Sequence, residues 1–158
     1  QIQTIGAQAH ADVRWIARAR KQERQELDVH VTHTARNCSG DVQMRCLSED
    51  HGSVIARGKI ALGKKAKGTE AFLDLKSLVL DPHAQSRAIP AIIVETNDVK
   101  AGHSATISRI NPEDLFYIAS RGISERKARE IVIGGFLGEL LAQISDQSLK
   151  QRLLGSCI

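Results

Sequence analysis

With 158 residues, 42% of them apolar, the chain is long enough to enclose a hydrophobic core, and it lacks the roughly 18 to 20 consecutive apolar residues of a membrane-spanning helix. The formal charge of +4 is spread along the chain, and its densest basic cluster, Lys64, Lys65 and Lys67, lies beside glycines with no aromatic neighbours for base stacking. We therefore expect a solvated turn there, and neither a nucleic-acid nor a membrane partner. Aromatic residues make up only 3% of the chain, with Trp15 the single tryptophan, so the core must be aliphatic and the stacking platforms of a polysaccharide-active enzyme are scarce.

In chain order, the first clear pattern begins near Asp28. Leu27, Val29 and Val31 alternate with Asp28, His30 and Thr32, the period of a half-buried strand. Further strands are predicted over 42–47, 54–62, 72–80 and 91–94. Turn residues fall at 37–41, 49–52, 63–68, 81–86 and 97–102. A strand every 12 to 18 residues or so fits a sandwich, a barrel or a parallel solenoid with two or more strands per coil. A hexapeptide helix is excluded, because 55–63 does not keep a small or aliphatic residue at every sixth position.

The pattern changes at Asn111. Asn111, Pro112, Glu113 and Asp114 supply a side-chain cap, a proline at the first helical position and first-turn acids, so a helix is predicted to start there and to close at Gly122. Ser124 caps a second helix whose apolar face is read as Ala128, Ile131, Val132, Gly135, Phe136 and Leu140, with Leu141 and Ile144. Gly134 and Gly135 each cost about 1 kcal/mol relative to Ala inside a helix, which points to close backbone approach. Ser145 or Asp146 starts a third short helix through Leu149, Leu153 and Leu154. The two regimes divide the chain into a β region, 1–110, and a helical segment, 111–158.

Residues 89–141 resemble the C-terminal core of the SufB/SufD family of iron–sulfur cluster assembly scaffolds. The resemblance rests on Asn97-Asp98-Val99, Gly102-His103-Ser104-Ala105-Thr106, read as a turn, Asp114-Leu115-Phe116-Tyr117, Ser120-Arg121-Gly122-Ile123 and Ile133-Gly134-Gly135-Phe136. The stretch 72–81 resembles the preceding coil, whereas 1–50 matches only in its rhythm of strands and turns. The resemblance implies a mainly β fold, a right-handed parallel β-helix followed by a small helical segment. It implies a non-enzymatic scaffold of the SUF machinery, with the helices docking a SufC-type ABC ATPase and the β-helix meeting a SufB/SufD-like protomer. It also implies His103 near that protomer interface, where a transient iron–sulfur cluster is handled and no cofactor is held stably. Phe116, Tyr117, Arg121, Ile131 and Phe136 are the candidate docking residues, although Phe116 and Tyr117 read first as pins seating the helices on the β-helix, and Arg121 first as a tie from helix-end carbonyls to a neighbouring loop.

Two departures from the family pattern bear on the chemistry. SufB-like members carry Glu after the histidine and Cys on the preceding coil; this chain has Ser104 and Leu75, so the sulfur-accepting thiolate is missing and a SufD-like or divergent role is expected. Among other candidates, Cys38 sits in a polar turn and reads as reactive, Cys46 as core filling and Cys157 as part of a frayed end. His30 and His33 project to opposite faces of one strand and cannot share a metal. Glu113 and Asp114 serve the helix start, which removes them, with Glu95 and Asp98, from a paired-carboxylate site. Gly63-Lys64-Lys65 lacks the spacing of a phosphate-binding loop, so ATP hydrolysis must belong to a partner. Three cysteines without a paired motif fit a reducing compartment, the cytoplasm, and the start at Gln1 reads as a piece of a longer protein. The competing functions are an association-only solenoid and a polysaccharide-active β-helix enzyme.

Overall fold

The computed structural model describes residues 1–158. Eight strands come first: β1 (Ile2–Thr4), β2 (Val13–Ala19), β3 (Arg24–His33), β4 (Ser39–Ser48), β5 (Ser53–Leu62), β6 (Thr69–Val79), β7 (Gln85–Val94) and β8 (Val99–Arg109). Three helices follow, α1 (Pro112–Ser120), α2 (Glu125–Ala142) and α3 (Gln147–Cys157). The chain divides into two compact units, 1–108 and 109–158.

In the first unit each strand pairs with the strand two places on, giving two four-stranded sheets in the orders β1-β3-β5-β7 and β2-β4-β6-β8. Every register the ladders fix is parallel. Ile2 faces Val31, Arg24 faces Ser53, Ser39 faces Glu70 and Ser53 faces Gln85. Each coil thus adds one strand to each sheet, and the molecule is a parallel β-solenoid of about four turns. Of the architectures compatible with the strand spacing, this is the one in which sequence neighbours lie in opposite sheets. β1 and β2 precede the stretch from Asp28 where sequence alone reads strands.

Two corners make the coils stack. At the first, Gln8, Asn37 and Gly68 take positive φ values of 62°, 55° and 71° on successive coils. The Gln8, Asn37 and Gly68 amides donate to the carbonyls of Arg36, Lys67 and Asp98 on the next coil, at 3.1, 2.8 and 2.7 Å. At the second corner Lys21 and Asp50 both have φ of 54°, and carboxylates form the ladder. Asp50 Oδ2 accepts from the Lys21 amide at 3.0 Å, and Asp81 Oδ2 from the Asp50 amide at 2.9 Å. Asn, Asp and Gly tolerate the left-handed region better than other residues, which explains their recurrence at coil-length intervals.

Between the sheets the inward rows are Leu27, Val29 and Val31; Val42, Met44 and Cys46; Val54, Ala56, Ile60 and Leu62; and Ala71, Leu73 and Leu75, all buried. The interior is narrow: a side chain at Gly58 would meet Leu73 Cδ1 at 2.6 Å. His33 is also fully buried on an inward row. Its Nδ1 lies 2.9 Å from Thr4 Oγ1 while Nε2 has no partner, and burial pushes its pKa below the ordinary value. His30, one face away, is half-buried beside Asp28, as the strand period requires.

Burial stops at the last coil. β7 and β8 are the end strands of their sheets, and Ile89, Ile93, Val94 and Ile107 on them are 44 to 48% exposed. The stretch around Gly102 and His103, expected to turn, is the middle of β8. Pairing with β6 overrides its local turn composition, as sheet contacts often do.

In the second unit the helix starts are those expected. Asn111, Ser124 and Asp146 cap α1, α2 and α3, accepting from the amides of Glu113, of Lys127, and of Ser148 and Leu149 respectively. Gly122, with φ of 84°, follows the last residues of α1. The buried stripe of α2 is Ala128, Ile133, Leu137, Leu140 and Leu141. Ile131 and Gly135, expected on that face, are exposed, and a Cβ at Gly134 or Gly135 would meet nothing within 4 Å. The close approach inferred from this glycine pair is therefore not made within the chain.

Candidate functional site

His103 occupies the open end of the solenoid. Lys100 Nζ is 2.6 Å from Glu70 Oε1, the Ser104 hydroxyl donates to Asp74 Oδ1, and Gly102 packs over the Phe72 ring; each pair is separated by one coil of chain. The same offset sets His103 against Leu73 and Ala105 against Leu75, residues of the buried inward row. His103 therefore continues the inward row onto the last coil, where it is exposed. Its imidazole has no hydrogen-bond or ion-pair partner in the chain. The turn read here from the sequence is therefore a strand.

On the outward row beside it, Asp74 gathers the Ser104 hydroxyl, Arg45 Nη2 at 2.8 Å and Lys76 Nζ at 3.5 Å. Burial alone would raise the Asp74 carboxyl, but the hydroxyl and the two cations outweigh it and hold the group below its ordinary value. Arg45 is only 1% exposed, so this charge pair is anchored on one side and open on the other. A glutamate at position 104 would face a second carboxylate here; serine donates instead.

The three thiols are enclosed. All three cysteines are free and buried. Burial pushes Cys46 up to about 11, against the smaller lowering by the neighbouring Ser77 hydroxyl and the Arg45 charge, so it stays a thiol at neutral pH. Cys38, expected to be reactive in an open turn, is 2% exposed and donates to the Ala35 and Gly6 carbonyls at 3.2 and 3.4 Å. Cys157, the last residue of α3, is 3% exposed. Leu75, expected to stand where SufB-like members carry cysteine, is buried opposite Met44. No three His, Cys, Asp or Glu side chains group as a ready metal site.

One arrangement went unread in the sequence. Ser39 Oγ lies 2.9 Å from His10 Nδ1, and His10 Nε2 lies 3.2 Å from Asp12 Oδ1. This has the connectivity of a nucleophilic relay, but the parts needed to use it are committed elsewhere. Asp12 Oδ1 also accepts from the Asp41 amide and Oδ2 pairs with Arg14. The neighbouring amides of Ala11 and Ser39 bond to the adjoining coil, so they are not free to bind an oxyanion. The cleft lined by His10, Ser39 and Phe72 encloses about 220 Å³, and another lined by Asn97 and Asp98 about 180 Å³. Both fall below the roughly 300 to 1,000 Å³ of small-molecule sites.

The helical unit carries the other candidates. Phe116 and Tyr117 are 76% and 60% exposed, Ile131 is 47% exposed and Phe136 half-buried. Arg121 does not reach to a neighbouring loop. Its Nη2 donates to Tyr117 Oη at 2.8 Å and its guanidinium sits 5.1 Å from that ring's centre, while the Arg121 backbone amide closes the helix end. This pairing fixes the Tyr117 ring in an exposed position.

No helix is long and apolar enough to cross a membrane. Residues 1–136 match the family model described as the SufBD core domain of the SUF system for FeS cluster assembly. The match takes in 1–50, where the sequence signal was only rhythm. Iron-sulfur cluster assembly SufBD family proteins of Staphylococcus saprophyticus, Staphylococcus haemolyticus and Staphylococcus aureus are each 35% identical to the chain over 133 residues. The alignments cover 84% of this chain and 29% of each relative, so the chain spans under a third of the relatives' length. With the solenoid, its motifs and the family match in agreement, the chain belongs to the SufB/SufD family of iron–sulfur cluster assembly proteins.

Proposed function

We propose that the chain is a non-catalytic scaffold component of the SUF machinery, SufD-like or divergent, that docks a SufC-type ATPase through its helical unit. The observation that carries this reading is the exposure of Phe116, Tyr117 and Ile131, large apolar side chains that would pack into a partner. The uncovered β7 and β8 edges supply a second surface, suited to a SufB/SufD-like protomer. His103 would face that junction, where the cluster is cargo in transit and its other ligands come from the second protomer. Buried thiols and the absence of a thiolate at Leu75 favour the SufD-like role over sulfur acceptance.

Titration calorimetry with a SufC-type ATPase tests the reading, using the wild type and a Phe116→Asp, Ile131→Asp double variant. Two buried anchors worth more than about 1 kcal/mol each imply at least a tenfold loss of affinity in the variant. Unchanged affinity, or no binding by a folded wild-type chain, would leave the association-only solenoid as the better account.

A further inference from the structure

At the second corner the imidazoles of His51 and His83 lie on successive coils, their centroids 4.9 Å apart and their planes 9° from parallel. The backbone beneath them is firmly held. The His51 amide donates to the Lys21 carbonyl at 2.9 Å and the Gln85 amide to the Gly52 carbonyl at 3.0 Å. The Asp50 and Asp81 carboxylates accept the amides of the preceding coils. Both side chains are exposed, and no hydrogen bond or ion pair engages either ring. Both rings thus keep their nitrogens for a ligand from outside the chain.

We propose that His51 and His83 form a two-imidazole site for a borderline divalent first-row cation, of the Ni, Cu and Zn class. Neutral imidazole is the nitrogen ligand these ions favour. Metal–nitrogen bonds of about 2.0 to 2.1 Å in a tetrahedral shell bring two ligating nitrogens to about 3.3 Å. The stacked rings are wider apart than that, so binding swings them together about their own side-chain bonds, which exposure permits. The backbone need not move, because adjacent coils already lie near the 4.8 Å or so between paired strands. No third metal-ligating side chain joins the pair. Water or a small anion completes the shell, and the ion stays exchangeable. The site spans the β4–β5 and β6–β7 turns of the second corner, apart from His103 on β8, and does not depend on the proposed scaffold role.

Nickel(II) titrated into the full chain, followed by imidazole proton–nitrogen spectra of all six histidines, tests the site. The His51 and His83 signals are expected to broaden first and together, before those of the exposed His10 and His103 and the half-buried His30. Losing a direct ligand should weaken nickel affinity at least about tenfold, since losing even an outer-shell partner costs that much. His83→Ala should show this loss and abolish the preferential broadening of His51; His51→Ala should do the same to His83, and His30→Ala should change neither. Equal broadening of every exposed histidine, or a folded His83→Ala chain with wild-type affinity, overturns the proposal.

Discussion

Gly68 is the residue at which the first corner is least tolerant. Its φ of 71° is strained for any side chain, and an added Cβ would overlap Asn37 Oδ1 on the coil before. Gly68→Ala should therefore lose about 1 to 3 kcal/mol, read as a lower urea midpoint with unchanged slope. Ala at half-buried Gly134, which has open space for a Cβ and helical backbone, should be neutral or slightly stabilising in the same assay. His33 gives the pH counterpart. Its folded pKa is depressed by burial, so below about 6.5 the unfolded chain takes up the proton more readily than the folded one. The stability contributed by neutral His33 is complete above that value and falls as the pH drops toward the folded pKa. Asp12 and Asp74 have depressed pKa values too, but from a starting point of 3.8, so their window is separate. Urea midpoints at pH 7.5 and 5.5 should differ in the wild type and differ less in His33→Leu; an equal difference in both would refute the assignment.

At the scale of elements, what could be read in the sequence was what local chemistry decides. Asn111, Ser124 and Asp146 announce their helices because a cap needs only a side-chain acceptor and the next two or three amides. Asp146→Ala, which removes the acceptor for two amides, should cost about 1 kcal/mol and speed hydrogen exchange in the first turn of α3 while sparing α1. Strand periodicity was equally local, so the inward row of β3 and the positions of β4 to β6 were legible. β8 was not, since its Gly, His and Ser read as a turn until β6, one coil upstream, holds them extended. The buried stripe of α2 was misread for another reason: Ile131, Val132, Ile133, Phe136 and Leu137 surround the helix, and periodicity cannot choose among apolar residues on every side. His103 was singled out by resemblance alone; its place on the inward row follows from register, which no local signal encodes.

The whole molecule is governed by the solenoid's asymmetry of burial. In its middle, each strand has a neighbour on both sides and every inward side chain is covered from above and below. On the last coil Val94 and Ile107, inward by register, remain about half exposed, beside outward Ile89 and Ile93 on the β7 edge. Two parallel edges with unpaired backbone groups and apolar side chains favour association through that end. Charge introduced there should oppose association at little expense to the fold, because these positions gain little from burial in the single chain. Ile107→Lys with Val94→Lys should keep the thermal midpoint within a few degrees of wild type. Sedimentation velocity on a mixture with a SufB-like protomer should then show a heterodimer for the wild-type chain and separate species for the variant. A heterodimer that survives both lysines would move the protomer contact away from the β7 and β8 edges, and with it the argument that His103 faces the junction.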